Sequence, residues 1–171
     1  MLPQNNKARI GIASLALSAA AFVGLISHEG YTDKAVIPVK GDVPTVGFGS
    51  TIKEDGKRVT MADTTTPQKA AARALWHIQK SESGIKRCVT APLTQGEYDI
   101  LLDFSYQYGV TSTCNSGVVR NVNAGRYAAA CAVYREYVLV AGRDCRIRAN
   151  KCYGVITRNE DRYERCMQEQ S

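Results

Sequence analysis

Residues 10 to 27 read IGIASLALSAAAFVGLIS, a stretch without a single charge, and a glutamate stands at position 29. No other run limits the chain so strongly. As one helix it spans about 27 Å, barely the thickness of a bilayer core. Lys7 and Arg9 precede it and favour an orientation with the N-terminus inside and everything after Glu29 outside. The run is weak as an anchor, because Ala, Ser and Gly make up more than half of it and supply little transfer energy. Three fates are open. It is a cleaved signal peptide, with SAAAF offering small residues of the Ala-x-Ala kind; or a permanent anchor; or a segment that inserts and later leaves the bilayer. Its Ala-rich composition also suits a soluble helix.

Cys88, Cys114, Cys131, Cys145, Cys152 and Cys166 all fall in the second half of the chain. Their number is even, no pair has Cys-x-x-Cys spacing, and the only histidines are His28 and His77. A metal site, and any metal cofactor, is therefore not expected. The pattern reads as a disulfide framework in an oxidising compartment, against the blander alternative of buried free thiols. Cys145 with Cys152 closes a short loop and is the first pair expected. No cysteine precedes residue 88, so no thiol in the uncharged run can act as a switch.

The chain has 171 residues, enough for one domain or a small bilobal one, and a formal charge of +6. That balance favours polyanionic partners such as nucleic acid, anionic lipid or an anionic bacterial wall. The basic residues are scattered, with a looser cluster in AGRDCRIRANKC (141–152), so the charge reads as general attraction and no nucleic-acid partner is expected. Residues 43–60 read as short strands with turns at FGS and EDGK. A helix follows, with Thr66 as its cap, Pro67 at its first position and Trp76 in the core. Thr94 and Glu97 form a capping box for a second helix with Ile100, Leu101, Phe104 and Tyr108 on one face. Residues 115–142 read as a short helix, a turn at NAG and a longer helix, and 154–168 as a charged terminal helix. The fold class is α+β: a small antiparallel sheet, then a mostly helical lobe.

HEGY at a helix end, then GDVPTVGFGST, LTQGEYDILLDFSYQYG, NVNAGRYAAA and GVITRNEDRYE stand in the order found in phage-type lysozymes of glycoside hydrolase family 24. The resemblance covers residues 25 to 167. With the uncharged run in front, the chain resembles the signal-arrest-release endolysins of phages. The resemblance implies a lysozyme-like catalytic domain over 28–171 behind a membrane-inserting helix over 1–27. It implies cleavage of the β-1,4 bond between N-acetylmuramic acid and N-acetylglucosamine in peptidoglycan, by a monomer released from the host inner membrane into the periplasm. Glu29 is then the catalytic acid and Thr45 the hairpin threonine that helps hold the attacking water. The family's hairpin Asp does not match: its usual spacing falls on Val39, and the nearest carboxylates are Asp42, preferred here, and Asp33. Gln107, Thr157 and Arg158 resemble residues that bind the glycan.

The chemistry is consistent with this. Glycoside hydrolysis needs a proton donor at the leaving oxygen and usually a second carboxylate. A donor must hold its proton near neutral pH, and the C-terminal end of a helix disfavours a negative charge. Gly30 lets the helix stop there. Taken alone, Glu29 also reads as an idle charge at a membrane boundary, and Asp42 and Thr45 as ordinary turn and strand residues. A lytic transglycosylase, which works with one acid, and a non-catalytic wall-binding protein are the alternatives. While residues 10–27 lie in a bilayer, Glu29 is pinned away from its hairpin; release lets the segment become the first helix of the folded protein.

Overall fold

The structure is a computed structural model that describes residues 7–38 and 41–171. The chain divides into two compact units, Leu17–Ser83 and Met1–Ala16 with Gly84–Ser171.

In the smaller unit Ser18 opens α1 (Ala19–Glu29) by accepting a hydrogen bond from the Ala21 N–H at 3.1 Å. The helix ends at Gly30, whose φ of 69° a residue with a Cβ rarely adopts. β1 (Thr32–Val36) and β2 (Thr45–Gly47) pair antiparallel, with Thr32 opposite Gly47, Val36 opposite Thr45 and an irregularity between them. Isolated bridges from Val46 to Ser50, Ile52 to Arg58 and Lys34 to Thr64 extend the pairing. Ala35, Val46 and Val59 form the buried cluster under these short strands. The Asp63 carboxylate closes the loop that follows. It accepts from the Thr60 N–H at 2.7 Å, from Lys53 Nζ at 3.0 Å and from the Thr60 hydroxyl at 2.9 Å, and these bonds hold its pKa down at about 2. α2 (Pro67–Cys88) then starts with proline at its first position, and the Lys69 N–H points at the Thr66 hydroxyl at 3.4 Å. Trp76, expected in the core, is half-buried with the Lys80 ammonium 3.5 Å from its ring centre.

The uncharged run is not one helix. Residues 12–14 make a 3-10 turn, Leu15 is extended, and α1 begins only at Ala19. The physical reason is competition for the backbone. Ser18 caps α1, while Ile10 exchanges two hydrogen bonds with Leu93 at 2.9 and 3.0 Å, and Leu15 is buried.

The larger unit is helical. Thr94 and Glu97 make the expected capping box of α3 (Gln95–Tyr108), whose Ile100, Leu101 and Phe104 are buried. α4 (Val110–Cys114), α5 (Gly117–Asn123) and α6 (Tyr127–Val133) follow. The longer helix expected up to residue 142 stops at Val133. After a 3-10 turn, β3 (Leu139–Val140) pairs with β4 (Arg143–Asp144). Val138, Leu139 and Val140 favour a strand, and Ala141 and Gly142 take positive φ of 48° and 76°, the geometry that tight hairpins need. α7 (Gly154–Gln168) closes the chain. Disulfides join Cys88 to Cys114, Cys131 to Cys166 and, as expected, Cys145 to Cys152. Arg9 docks the N-terminal residues onto α3: its Nη2 donates to Glu97 Oε1 at 2.6 Å and its guanidinium lies 3.7 Å from the Tyr127 ring centre.

Arg162 of α7 is fully buried, and Asp103 of α3 supplies its counter-charge: Arg162 Nε donates to Asp103 Oδ2 at 2.5 Å. Burial alone would push the Asp103 carboxyl up, but Arg162 and then Arg158 outweigh it and hold the carboxyl below its ordinary range. A carboxylate whose folded pKa is lowered stabilises the fold above its unfolded pKa, and that contribution is lost as pH falls through the folded value. Asp103→Asn leaves Arg162 buried without its anion and is expected to cost about 3 kcal/mol in urea unfolding at pH 7. The gap to wild type should narrow as pH falls below the ordinary carboxylate range and through the lowered folded value, where wild type loses the same charge. A gap that stays constant with pH would refute the ion-pair account.

Candidate active site

Glu29 is the last residue of α1 and is half-buried. The turn Val46-Gly47-Phe48-Gly49 meets it with a different task for each residue. Val46 is fully buried and exchanges two backbone hydrogen bonds with Ser50, at 3.0 and 3.1 Å, which close the turn. A Cβ on Gly47 would come within 2.7 Å of the Ala70 Cβ, and its φ is +69°, so both space and conformation demand glycine. Phe48 packs against Tyr31 with ring centres 5.5 Å apart. Gly49 has φ +75°, and a Cβ there would stand 3.6 Å from Glu29 Oε2. The carboxyl group of Glu29 therefore lies against the backbone of this turn. It does so at the C-terminal end of α1, where the helix dipole disfavours a negative charge.

Asp42 and Thr45 lie at the other end of the β1–β2 hairpin. Asp42 is exposed in the connecting turn, and its Oδ1 accepts from the Val43 N–H at 2.8 Å, a local turn-forming bond. Thr45 opens β2 half-buried, and its hydroxyl points at the Val36 carbonyl at 3.4 Å. Asp33 is exposed in β1, with its backbone carbonyl accepting from the Thr65 N–H at 2.8 Å. Val39, on which the usual aspartate spacing falls, lies outside the described residues. The structure thus brings Glu29 against the glycine turn and keeps Asp42 with Thr45 in the hairpin.

In the larger unit Gln107 sits in the last turn of α3, half-buried. Its Oε1 is buried and has no hydrogen-bond partner among the described residues. Thr157 is exposed on α7. Arg158, one residue on, is ion-paired: its Nη2 donates to Asp103 Oδ1 at 2.7 Å. Asp103 was not singled out from sequence. The signal was there, as a carboxylate between Leu102 and Phe104 of α3 and two arginines one helical turn apart on the terminal helix, but only tertiary structure puts them together. Among the described residues no group of His, Cys, Asp and Glu is arranged to hold a metal ion.

The family model for phage lysozyme matches residues 26–162. An endolysin of Salmonella phage P22 is 32% identical over 114 residues, covering 67% of this chain and 77% of that protein. A SAR-endolysin of Escherichia phage 933W is 30% identical over 117 residues, covering 68% of this chain and 66% of that one. A crystal structure of a P22 lysozyme mutant superposes with a TM-score of 0.73 at 25% identity, over 90% of this chain and 99% of its own. The matched span takes in Glu29, the hairpin, α3 and Arg162. The chain belongs to the phage lysozyme family.

Proposed function

We propose that this chain is a peptidoglycan-degrading muramidase, an endolysin that hydrolyses the β-1,4 bond between N-acetylmuramic acid and N-acetylglucosamine, with Glu29 as its proton donor. The observation that carries the reading is the placement of the Glu29 carboxyl at the end of α1 against Gly49. A carboxyl at a helix end that meets the glycine turn of the hairpin is placed to deliver a proton to a leaving oxygen. Thr45, with Asp42 as the second carboxylate, holds the attacking water. Gln107, Thr157 and Arg158 bind the glycan. The family match supports these roles, since its span includes every one of these residues.

Residues 1–27 serve in this reading as a signal-arrest-release segment ahead of a catalytic domain over 28–171, in keeping with the SAR-endolysin relative. The segment first holds the enzyme in the host inner membrane facing the periplasm, then leaves it, and the freed monomer acts in the periplasm. Among the described residues no helix is long and apolar enough to cross a membrane, and residues 19–27 lie within α1. The structure is read as the released form. Arg9, which helps orient the segment in the bilayer, then pairs with Glu97. Control rests on where Glu29 is held, since its helix is built from the same residues that enter the membrane.

Purified full-length protein should clear chloroform-permeabilised Gram-negative cells. Glu29→Gln should lower the rate by about 10²–10⁴-fold, the usual contribution of a general acid. Equal rates would remove Glu29 from the chemistry. Asp42→Asn should cost about tenfold or more. Full activity in Asp42→Asn together with an inactive Asp33→Asn would move the second carboxylate to Asp33. Mass spectra of the products should show new reducing ends, whereas 1,6-anhydro ends would identify a transglycosylase. Leucine at Ala19, Ala20 and Ala21 together should keep the protein in the membrane fraction and abolish lysis of intact hosts, and lysis by that variant would refute the release reading.

A further inference from the structure

We infer that Asp103 is a positioning residue that fixes the guanidinium of Arg158 through a buried relay ending at Arg162. The inference rests on the muramidase reading, with Arg158 facing the glycan. Arg162 has no exposed surface and needs an anion, but a carboxylate serving only as its counter-ion would be expected to pair with it in bidentate fashion. Asp103 instead divides its oxygens. Oδ2 accepts from Arg162 Nε at 2.5 Å and Oδ1 accepts from Arg158 Nη2 at 2.7 Å.

The Arg162 side of the relay is locked. Arg162 Nη1 donates to Asn159 Oδ1 at 2.5 Å and Nη2 to the Asp103 backbone carbonyl at 3.3 Å. Asn159, itself buried, donates to the Tyr108 hydroxyl at 3.0 Å and the Tyr137 carbonyl at 2.7 Å. The carboxylate of Asp103 is therefore held in one orientation, and its second oxygen points in one direction. Arg158 and Arg162 stand one turn apart on α7, a spacing at which like charges repel, so Asp103 is also what lets both remain on that face. The side chain of Arg158 is 14% exposed, which puts it at the margin of this cluster and not in its interior. A long side chain without such an anchor samples many rotamers, and a group that binds in several places binds poorly in any of them.

The test is a double-mutant cycle read on activity. Initial rates of reducing-end release from purified peptidoglycan give kcat and KM for wild type, Asp103→Asn, Arg158→Ala and the double variant. Asp103→Asn is expected to lower kcat/KM by about tenfold to a hundredfold in the wild-type background and to have no further effect once Arg158 is Ala. A loss of the same size in both backgrounds would show that Asp103 acts on folding and not through Arg158, and no loss in either would show that Arg158 needs no anchor; both overturn the inference. Asp103→Leu with Arg162→Met removes the fully buried cation together with its anion and leaves only Arg158, at the margin, to turn to solvent, so this variant should keep a melting temperature closer to wild type than Asp103→Asn does. It should still show the loss in kcat/KM. It should also lose the ordered Nε–Hε signal of Arg158 in 15N NMR, and persistence of that signal would overturn the inference. If wild type itself releases no reducing ends, the muramidase reading fails, and the NMR comparison still decides whether Asp103 positions Arg158.

Discussion

The hairpin turn between Val46 and Ser50 admits no side chain at two places, and the site takes its form from that exclusion. At Gly47 a Cβ would run into Ala70 of α2; at Gly49 the positive φ of 75° disfavours a side chain, and the Glu29 carboxyl is the neighbour that a Cβ would touch. The two positions face different partners, one structural and one chemical, and glycine is demanded by space and conformation at the first and by conformation at the second. Because Gly30 ends α1 immediately after Glu29, the carboxyl is delivered at the end of a helix and not along its side.

The larger unit manages charge differently. It buries Arg162 completely, and it can do so only because α3 presents Asp103 and α7 presents Asn159 at matching heights. Breaking one member of such a set leaves an unpaired charge inside, which is why its removal costs far more than the pair contributes. Disulfides constrain the same unit, in which every cysteine of the chain lies. By closing loops of 26, 35 and 7 residues they limit the unfolded chain most where the separation is longest. The smaller unit has no disulfide and depends on short strands over Ala35, Val46 and Val59 and on polar loop closures such as that at Asp63.

Under the proposed release from a membrane, the N-terminal residues face two sets of demands. On that proposal the uncharged run enters a bilayer first, whereas in the structure Ser18 caps α1 and Ile10 pairs with Leu93. Alanine suits both, since it is the best helix former and costs little to insert, while serine and glycine keep the run's hydrophobicity low. Large aliphatic residues throughout would favour the first state at the expense of the second.

Local chemistry was legible in the sequence. The capping box at Thr94, the proline start of α2, the stop at Gly30, the terminal helix and the Cys145–Cys152 pair all depend on residues close together in the chain. Where local preferences were in balance, the sequence alone was read too simply. The run 10–27 looked like one helix, and the stretch from the NAG turn to residue 142 like another, because periodicity does not record that Leu93 competes for Ile10 or that Ala141 and Gly142 turn the chain. The site divides in the same way. Glu29 and the glycine motif stood out as a pattern, while Asp103, Arg158 and Arg162 form a set only after α3 and α7 pack, because a shared carboxylate is a property of distance in space and not of spacing along the chain.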